Sequence, residues 1–242
     1  MRTVEEMYDV YRERHEKGED GPYIVKLAKD GQELTFFGSI HTNDPNHLQY
    51  PLLREEWGQF EKLDGPKLVV QERLLSPEDI PDDADRVILS EEEAGYTIWL
   101  AQQVGIEVTT GEPTRADEIM HLKSLGYSEA QIMTYYFGRQ FHQWARSDSK
   151  TSPDWREYAA KCVAGYARSA QWDEPLTLER VLEGFSEVTG EAFDTSKTEL
   201  FEQVADPSTN EVSRESSNFR DHNLLRLISE AWSSGKHIFV VY

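Results

Sequence analysis

The sequence predicts an α/β fold: a central mixed sheet flanked by helices, with a helical insert between the N-terminal and C-terminal parts of the sheet. Short apolar runs alternate with amphipathic segments over residues 67–110, which is typical of parallel strands joined by helices. Lys29-Asp30-Gly31-Gln32 between two apolar runs indicates an antiparallel hairpin. A helix-rich stretch, about residues 128–205, then separates these elements from a last helix and strand.

Turn residues and helix-capping residues divide the chain into elements. Gly105 is a C-cap candidate, and Ser128, Ser152 and Thr177 are helix-start candidates in the insert. The predicted elements are a helix over 4–17, strands over 23–27 and 33–37, a helix over about 52–63, a strand over 67–73, a helix over 91–104, a strand over 106–110, a helix from Phe219 to about Ser234 and a strand over 237–242.

The length and composition are those of one folded domain. A chain of 242 residues can bury a sizeable core, and we assign residues 1–242 to a single domain. The only cysteine, Cys162, excludes an internal disulfide and a cysteine-based zinc site, and its small and apolar neighbours favour a buried structural thiol over a nucleophile. The chain stops directly after an apolar strand, so we expect a truncated C-terminus.

The charge excludes several kinds of partner. The chain carries 45 acidic against 25 basic residues, a formal net charge of −20. Such a surface repels nucleic-acid phosphates and anionic lipids, so we expect neither nucleic acid nor a membrane as partner. The N-terminus lacks the apolar core of a signal peptide, and no apolar run is long enough to span a bilayer. Together these features predict a cytoplasmic, acidic protein.

Aromatic residues crowd one helix of the insert. At this density they are more typical of a helix packed in a core than of a cofactor pocket. The crowded residues are Tyr135, Tyr136, Phe137, Phe141 and Trp144.

Three predicted strands finish with an ionisable residue after an apolar run: His41, Glu72 and Glu112. The carboxyl ends of strands in open α/β sheets line the crevice where ligands bind, so we expect these side chains to converge. His41 offers a nitrogen for a metal ion or for proton transfer, and Gly38 before it allows a close backbone approach. Glu72 follows an apolar run, so its carboxylate could be partly desolvated and could carry a proton or bind a cation.

Each of these residues also has a purely structural interpretation. His41 could be a hydrogen-bonded structural histidine, and Glu72 could pair with Arg73. Glu112, between Gly111 and Pro113, could cap a turn.

Arg220, Asp221 and His222 lie where we predict the last helix to start. Arginine is unfavourable at the positive end of a helix dipole, so Arg220 there suggests a bound anion or a developing oxyanion. A surface ion pair is the alternative for Arg220, and His222 could simply face solvent. No P-loop, dinucleotide fingerprint, nucleophile elbow or His-Glu-x-x-His helix occurs in the sequence.

The motifs resemble those of the TraB/Tiki superfamily, which includes erythromycin-esterase-like and ChaN-like proteins. The resemblance lies in Gly38-Ser-Ile-His41, a strand ending at Glu72, Gly111-Glu112-Pro113, and Phe219-Arg-Asp-His-Asn223 before the last strand. It covers both ends of the chain, but not the insert. The family pattern has two Gly-x-x-His motifs, and the resemblance places the second after Tyr242, where this sequence has ended.

The resemblance implies a metal-dependent hydrolase acting on an amide or ester bond of a peptide or small molecule. His41 and Glu72 would bind a divalent metal ion, Glu72 could also act as general base, and Arg220 would stabilise the oxyanion. The residues that would surround these groups and help to orient them are Gly38, Glu112, Asp221 and His222. The alternative implied by the ChaN-like members is a non-catalytic module that binds haem or a metal, with the aromatic insert as a lid. A third possibility is a scaffold whose acidic insert docks a partner.

Overall fold

The computed structural model describes residues 21–73, 75–76, 80–146, 154–195 and 207–242. The helix predicted over residues 4–17 lies outside these ranges. The chain divides into two compact units, one formed by the residues up to 112 and from 224 onward, the other by residues 113–223. The second unit starts before and ends after the bounds of 128–205 predicted for the helical insert.

Within the described ranges the chain forms five strands and seven helices. In chain order they are β1 (Tyr23–Lys29), β2 (Gln32–Gly38), α1 (Gln49–Glu61), β3 (Lys67–Gln71), α2 (Ala84–Val104), β4 (Glu107–Thr110), α3 (Arg115–Ser124), α4 (Glu129–Arg146), α5 (Trp155–Ser169), α6 (Leu178–Thr189), α7 (Pro207–Ser233) and β5 (His237–Val241).

The sheet is mixed, with the strand order β1-β2-β5-β3-β4. β1 and β2 form the predicted antiparallel hairpin, and Asp30 and Gly31 at its turn have φ values of 53° and 82°. Positive φ at both central residues is what a two-residue hairpin turn requires. β5 lies parallel to β2 on one side and parallel to β3 on the other, while β4 extends the sheet beyond β3.

Both faces of the sheet are covered within the first unit. Every residue of β5 is buried, as expected for a central parallel strand. One face packs against α1 and α2, where Trp57 and Phe60 contact Phe239. The other face packs against the last part of α7, through Leu224 and Ala231.

The helix ends follow the capping residues. Asp83 accepts a hydrogen bond from the backbone N–H of Arg86 at the start of α2, and Gly105 ends that helix with a φ of 69°. Helix α2 begins seven residues before the predicted start at residue 91 and is broken inside, at Glu92. Helix α7 begins at Pro207, twelve residues before the predicted start at Phe219; proline is well tolerated in the first helical turn.

The second unit is helical and has its own core. Thr114, Asp154 and Thr177 cap α3, α5 and α6 with their side chains. The predicted aromatic stripe of α4 lies in this core, where Tyr135, Tyr136, Phe137 and Phe141 are almost fully buried and Trp144 is partly buried.

The predicted α/β class, with its mixed sheet and helical insert between the two parts of the sheet, is confirmed. The alternation of short apolar runs with helical segments carried that prediction. In the described part of the chain, no helix combines the length and the apolar character that crossing a bilayer requires.

Candidate metal centre

The carboxyl ends of two strands bring His41 and Glu72 together. His41 lies three residues after β2 and Glu72 directly follows β3, and both strands run parallel to β5 between them. Their ends therefore lie at the same edge of the sheet. His41 Nε2 is 3.6 Å from Glu72 Oε2, with the two side chains 64% and 38% exposed. The predicted convergence of these two residues is present.

A third residue, which the sequence did not single out, contacts the same imidazole. Glu93, in α2, places Oε1 2.6 Å from His41 Nδ1. Its side chain is only 4% exposed. Its second oxygen, Oε2, is buried and has no hydrogen-bond partner among the described residues. The His41 ring thus stands between a buried carboxylate and a partly exposed one.

The break in α2 explains how two consecutive glutamates reach one histidine. Neighbouring side chains of a regular helix point about 100° apart, so they do not share a face. Glu92 has φ 57° and ψ −151°, close to a region of backbone conformation that is essentially restricted to glycine. With this break, His41, Glu92 and Glu93 each offer a ligand atom within 4.8 Å of the others.

The first turn of α1 holds the backbone on both sides of His41. The buried amide of Gln49 donates to the carbonyl of Ile40 at 2.7 Å and accepts from the N–H of Ile40 at 2.9 Å. The hydroxyl of Tyr50 donates to the carbonyl of Thr42. The loop that carries His41 is therefore fixed by side chains of two adjacent residues.

Charge around the imidazole changes its protonation. Partial burial lowers the pKa of His41, but the carboxylates of Glu93, Glu72 and Glu92 and the hydrogen bond to Glu93 together raise it above its ordinary value. Burial is also the main cause that raises the pKa of Tyr50 to about 12. Its phenol is accordingly neutral at physiological pH and keeps the O–H that donates a hydrogen bond to the carbonyl of Thr42.

The donor atoms suit a divalent cation. An imidazole nitrogen and carboxylate oxygens are ligands that zinc and related transition metals accept. The separation of 3.6 Å between Nε2 and Oε2 exceeds a hydrogen bond. Two ligands of one tetrahedral ion, each at about 2.1 Å, lie roughly 3.4 Å apart. The pair therefore has nearly the spacing of two ligands of one ion.

Two structural interpretations from the sequence can now be compared with contacts. Arg73 was the possible ion-pair partner of Glu72. Its Nη2 donates to the carbonyl of Glu91 at 2.9 Å and lies 3.3 Å from the carboxylate of the same Glu91. Glu112 accepts a hydrogen bond from the hydroxyl of Tyr242, and its N–H donates to Thr110 Oγ1 at 3.0 Å.

The expected position of Arg220 at a helix start is wrong. Since α7 begins at Pro207, Arg220 lies well inside the helix, and the argument from the helix dipole does not apply to it. Arg220, Asp221 and His222 belong to the second unit. Asp221 and His222 are exposed, and His222 Nδ1 donates to the carbonyl of Asn218 at 2.6 Å.

Comparisons with protein-family models, with curated proteins and with solved structures found no match. The resemblance to the TraB/Tiki superfamily and the assignment of residues 1–242 to one domain of that type stay predictions. The residues gathered around His41 are therefore the main basis for a proposal of function.

Proposed function

We propose that this protein is a metal-dependent hydrolase of the TraB/Tiki type that cleaves an amide or ester bond, with a divalent cation held by His41 and Glu72. One observation carries this proposal: Nε2 of His41 faces Glu72 Oε2 at 3.6 Å while Nδ1 contacts Glu93 at 2.6 Å. Metal-binding histidines commonly hold the ion on one ring nitrogen and donate the N–H of the other to a carboxylate, and the contact of Nδ1 with Glu93 would leave Nε2 for the ion.

The exposure of the side chains fits this role. A catalytic metal site must keep one coordination position free for water or substrate. The side chains of His41 and Glu72 are both open to solvent in part, as such a site requires. A divalent cation held by His41 and Glu72 would supply a nucleophile near neutral pH, because such ions can lower the pKa of bound water to about 7. Glu72 can accept a proton at this edge of the sheet, as well as bind the ion.

The remaining roles rest on the resemblance alone. The role of Arg220 as the cation that stabilises the oxyanion stays a prediction, as do the supporting roles of Gly38, Glu112, Asp221 and His222. The substrate is proposed to be a peptide or a small molecule, and the setting to be the cytoplasm.

Metal binding is the first test. The chain, freed of metal with a chelator, is titrated with Zn²⁺ in a calorimeter, beside His41→Ala, Glu72→Gln and the exposed-residue control Glu55→Gln. We expect one ion per chain in the parent and in Glu55→Gln. We expect no binding by His41→Ala, and for Glu72→Gln a loss of affinity at least as large as the roughly 10- to 100-fold that removal of an outer-shell partner costs. A parent protein that binds no Zn²⁺ would refute the proposal.

Hydrolysis is the second test. A panel of chromogenic esters and peptide anilides is assayed before and after complete removal of metal, and again after Zn²⁺ is restored. Activity that disappears and returns supports a metal-dependent hydrolase. Activity that persists unchanged without metal excludes it.

The haem-binding alternative has less support from the described residues. It relied on the aromatic side chains of α4 as a lid, but Tyr135, Phe137 and Phe141 are each only 2% exposed in the core of the second unit. A haem titration tests it: a Soret shift that is lost in His41→Ala would favour it over the hydrolase.

A further inference from the structure

We propose that Glu93 is a positioning residue for His41: its carboxylate accepts the Nδ1–H of the imidazole and thereby leaves Nε2 as the nitrogen that binds the ion. This assignment rests on the proposed function as far as the ion is concerned. The tautomer of His41, however, is a property of the chain without metal, and it can be measured separately.

The contact between Glu93 and His41 has the length of a strong hydrogen bond. At 2.6 Å it is at or just below the range of charge-assisted N–H···O bonds. The imidazole is 64% exposed, so packing alone does not fix its orientation. Glu93 is only 4% exposed, and its Oε2 has no hydrogen-bond partner among the described residues. The hydrogen bond on Oε1 therefore ties the exposed ring of His41 to a buried carboxylate.

Both partners of this bond are held by their surroundings. The hydroxyl of Thr97, itself fully buried, donates to the carbonyl of Glu93 at 2.8 Å. On the other side, Gln49 binds the backbone of Ile40 next to His41. A fixed donor and a fixed acceptor define one tautomer before any ion arrives.

The rival assignment makes Glu93 a metal ligand together with Glu92, with the ion on Nδ1. The three ligand atoms lie within 4.8 Å of one another, so the distances allow it. An ion there would have to replace the 2.6 Å hydrogen bond and lie beside a carboxylate that is 4% exposed. A hydrolytic ion needs a position open to water, and the partly exposed pair of His41 Nε2 and Glu72 provides it.

Nitrogen-15 NMR of the histidine rings decides between the two assignments. Spectra of the metal-free chain are recorded at alkaline pH, where the imidazole is neutral, and again with Zn²⁺; His41→Ala identifies the signals. We expect the Nδ1–H tautomer without metal, and a Zn²⁺-dependent shift of Nε2 while Nδ1 keeps its proton. An Nε2–H tautomer without metal, or Zn²⁺ on Nδ1, would overturn the assignment.

Variants of Glu93 test whether the carboxylate sets the tautomer. Glu93→Met removes the acceptor at similar length, Glu93→Gln keeps an oxygen acceptor without the charge, and Glu91→Met makes the same change two residues away. We expect Glu93→Met to shift His41 towards Nε2–H and to weaken Zn²⁺ binding about 10- to 100-fold. Glu93→Gln should keep most of the Nδ1–H form. Glu91→Met should have the same tautomer and the same Zn²⁺ affinity as the parent.

A parent tautomer that persists in Glu93→Met would show that Glu93 does not set it. If Glu93→Met fails to fold, Glu93→Gln still decides through its Zn²⁺ affinity, which should lie between those of the parent and His41→Ala. If the parent binds no Zn²⁺ at all, the proposed function fails, while the tautomer of the metal-free chain still supports or refutes the role of Glu93.

Discussion

The ring of Tyr23 lies over Gly38, in the space that a side chain at position 38 would occupy. A Cβ built on Gly38 would overlap three atoms of that ring. Tyr23, in β1, is paired in register with Gly38, in β2, and its ring also stacks on Phe36 at 5.9 Å. The glycine that begins the Gly-x-x-His motif is therefore explained by a neighbouring aromatic ring.

We expect Gly38→Ala to destabilise the protein by about 1–3 kcal/mol, since the Tyr23 ring must move from its stacked position. Tyr23 is 39% exposed, so the lower end of that range is favoured. Urea unfolding of Gly38→Ala, Tyr23→Ala and the double variant measures the coupling. The cost of Gly38→Ala should largely vanish in the Tyr23→Ala background, and an equal cost in both backgrounds would show that the ring is not the cause.

Gln49→Met should cost about 2–4 kcal/mol in the free energy of unfolding. The substitution removes two hydrogen bonds and leaves the N–H and the carbonyl of Ile40 without their partner, at about 1–2 kcal/mol each. Gln59→Met is the matched control: Gln59 lies on the exposed side of the same helix, and the hydrogen bond that it accepts from Lys26 is open to water, so the change in stability should be less than about 0.5 kcal/mol. Equal effects of the two substitutions in urea unfolding would contradict this role of Gln49.

The pKa of His41 in the metal-free chain should lie above the ordinary value of 6.5. Burial opposes this, but the charges of Glu93, Glu72 and Glu92 outweigh it. Since the folded state favours the imidazolium, its stabilising contribution is complete below the unfolded pKa and disappears as pH rises through the folded pKa. NMR titration of the ring measures the value, which should fall in Glu93→Gln; a parent value at or below 6.5 would show that burial prevails.

Cys162 should react slowly with thiol reagents in the folded protein. Burial raises the pKa of its thiol, so less thiolate is present near pH 8 than in an unfolded chain. Alkylation by iodoacetamide, followed by mass spectrometry with and without urea, compares the two states. A folded protein that reacts as fast as the unfolded one would indicate an activated thiol and not a structural one.

The strand-based part of the site could be predicted from the sequence, because it depends on a local pattern. An apolar run followed by His41 or Glu72 marks the end of a strand, and parallel strands place their ends at one edge. The closeness of His41 and Glu72 then follows from the parallel direction of the two strands that carry them. The predicted hairpin at Asp30 and Gly31 rested on turn chemistry that is equally local.

Glu93 could not be found in this way. It comes from a helix, and its approach to His41 depends on the break at Glu92, where a non-glycine residue has positive φ. No sequence motif marks that break, and Glu91, Glu92 and Glu93 together suggest only an acidic helix start. Similarly, the last helix was predicted to start at Phe219, although Pro207 is of a residue type that is common at the first position of a helix.

The order of the strands has a consequence for biosynthesis. β5 separates β2 from β3, yet it is the last of the five to leave the ribosome. Until it inserts, the hairpin and the β3–β4 pair have no common partner in the sheet, and two hydrophobic edges stay open to other chains. His41 and Glu72 can therefore meet only after nearly all of the present sequence has been translated, which makes the nascent chain a predicted client of chaperones that cover unpaired strands.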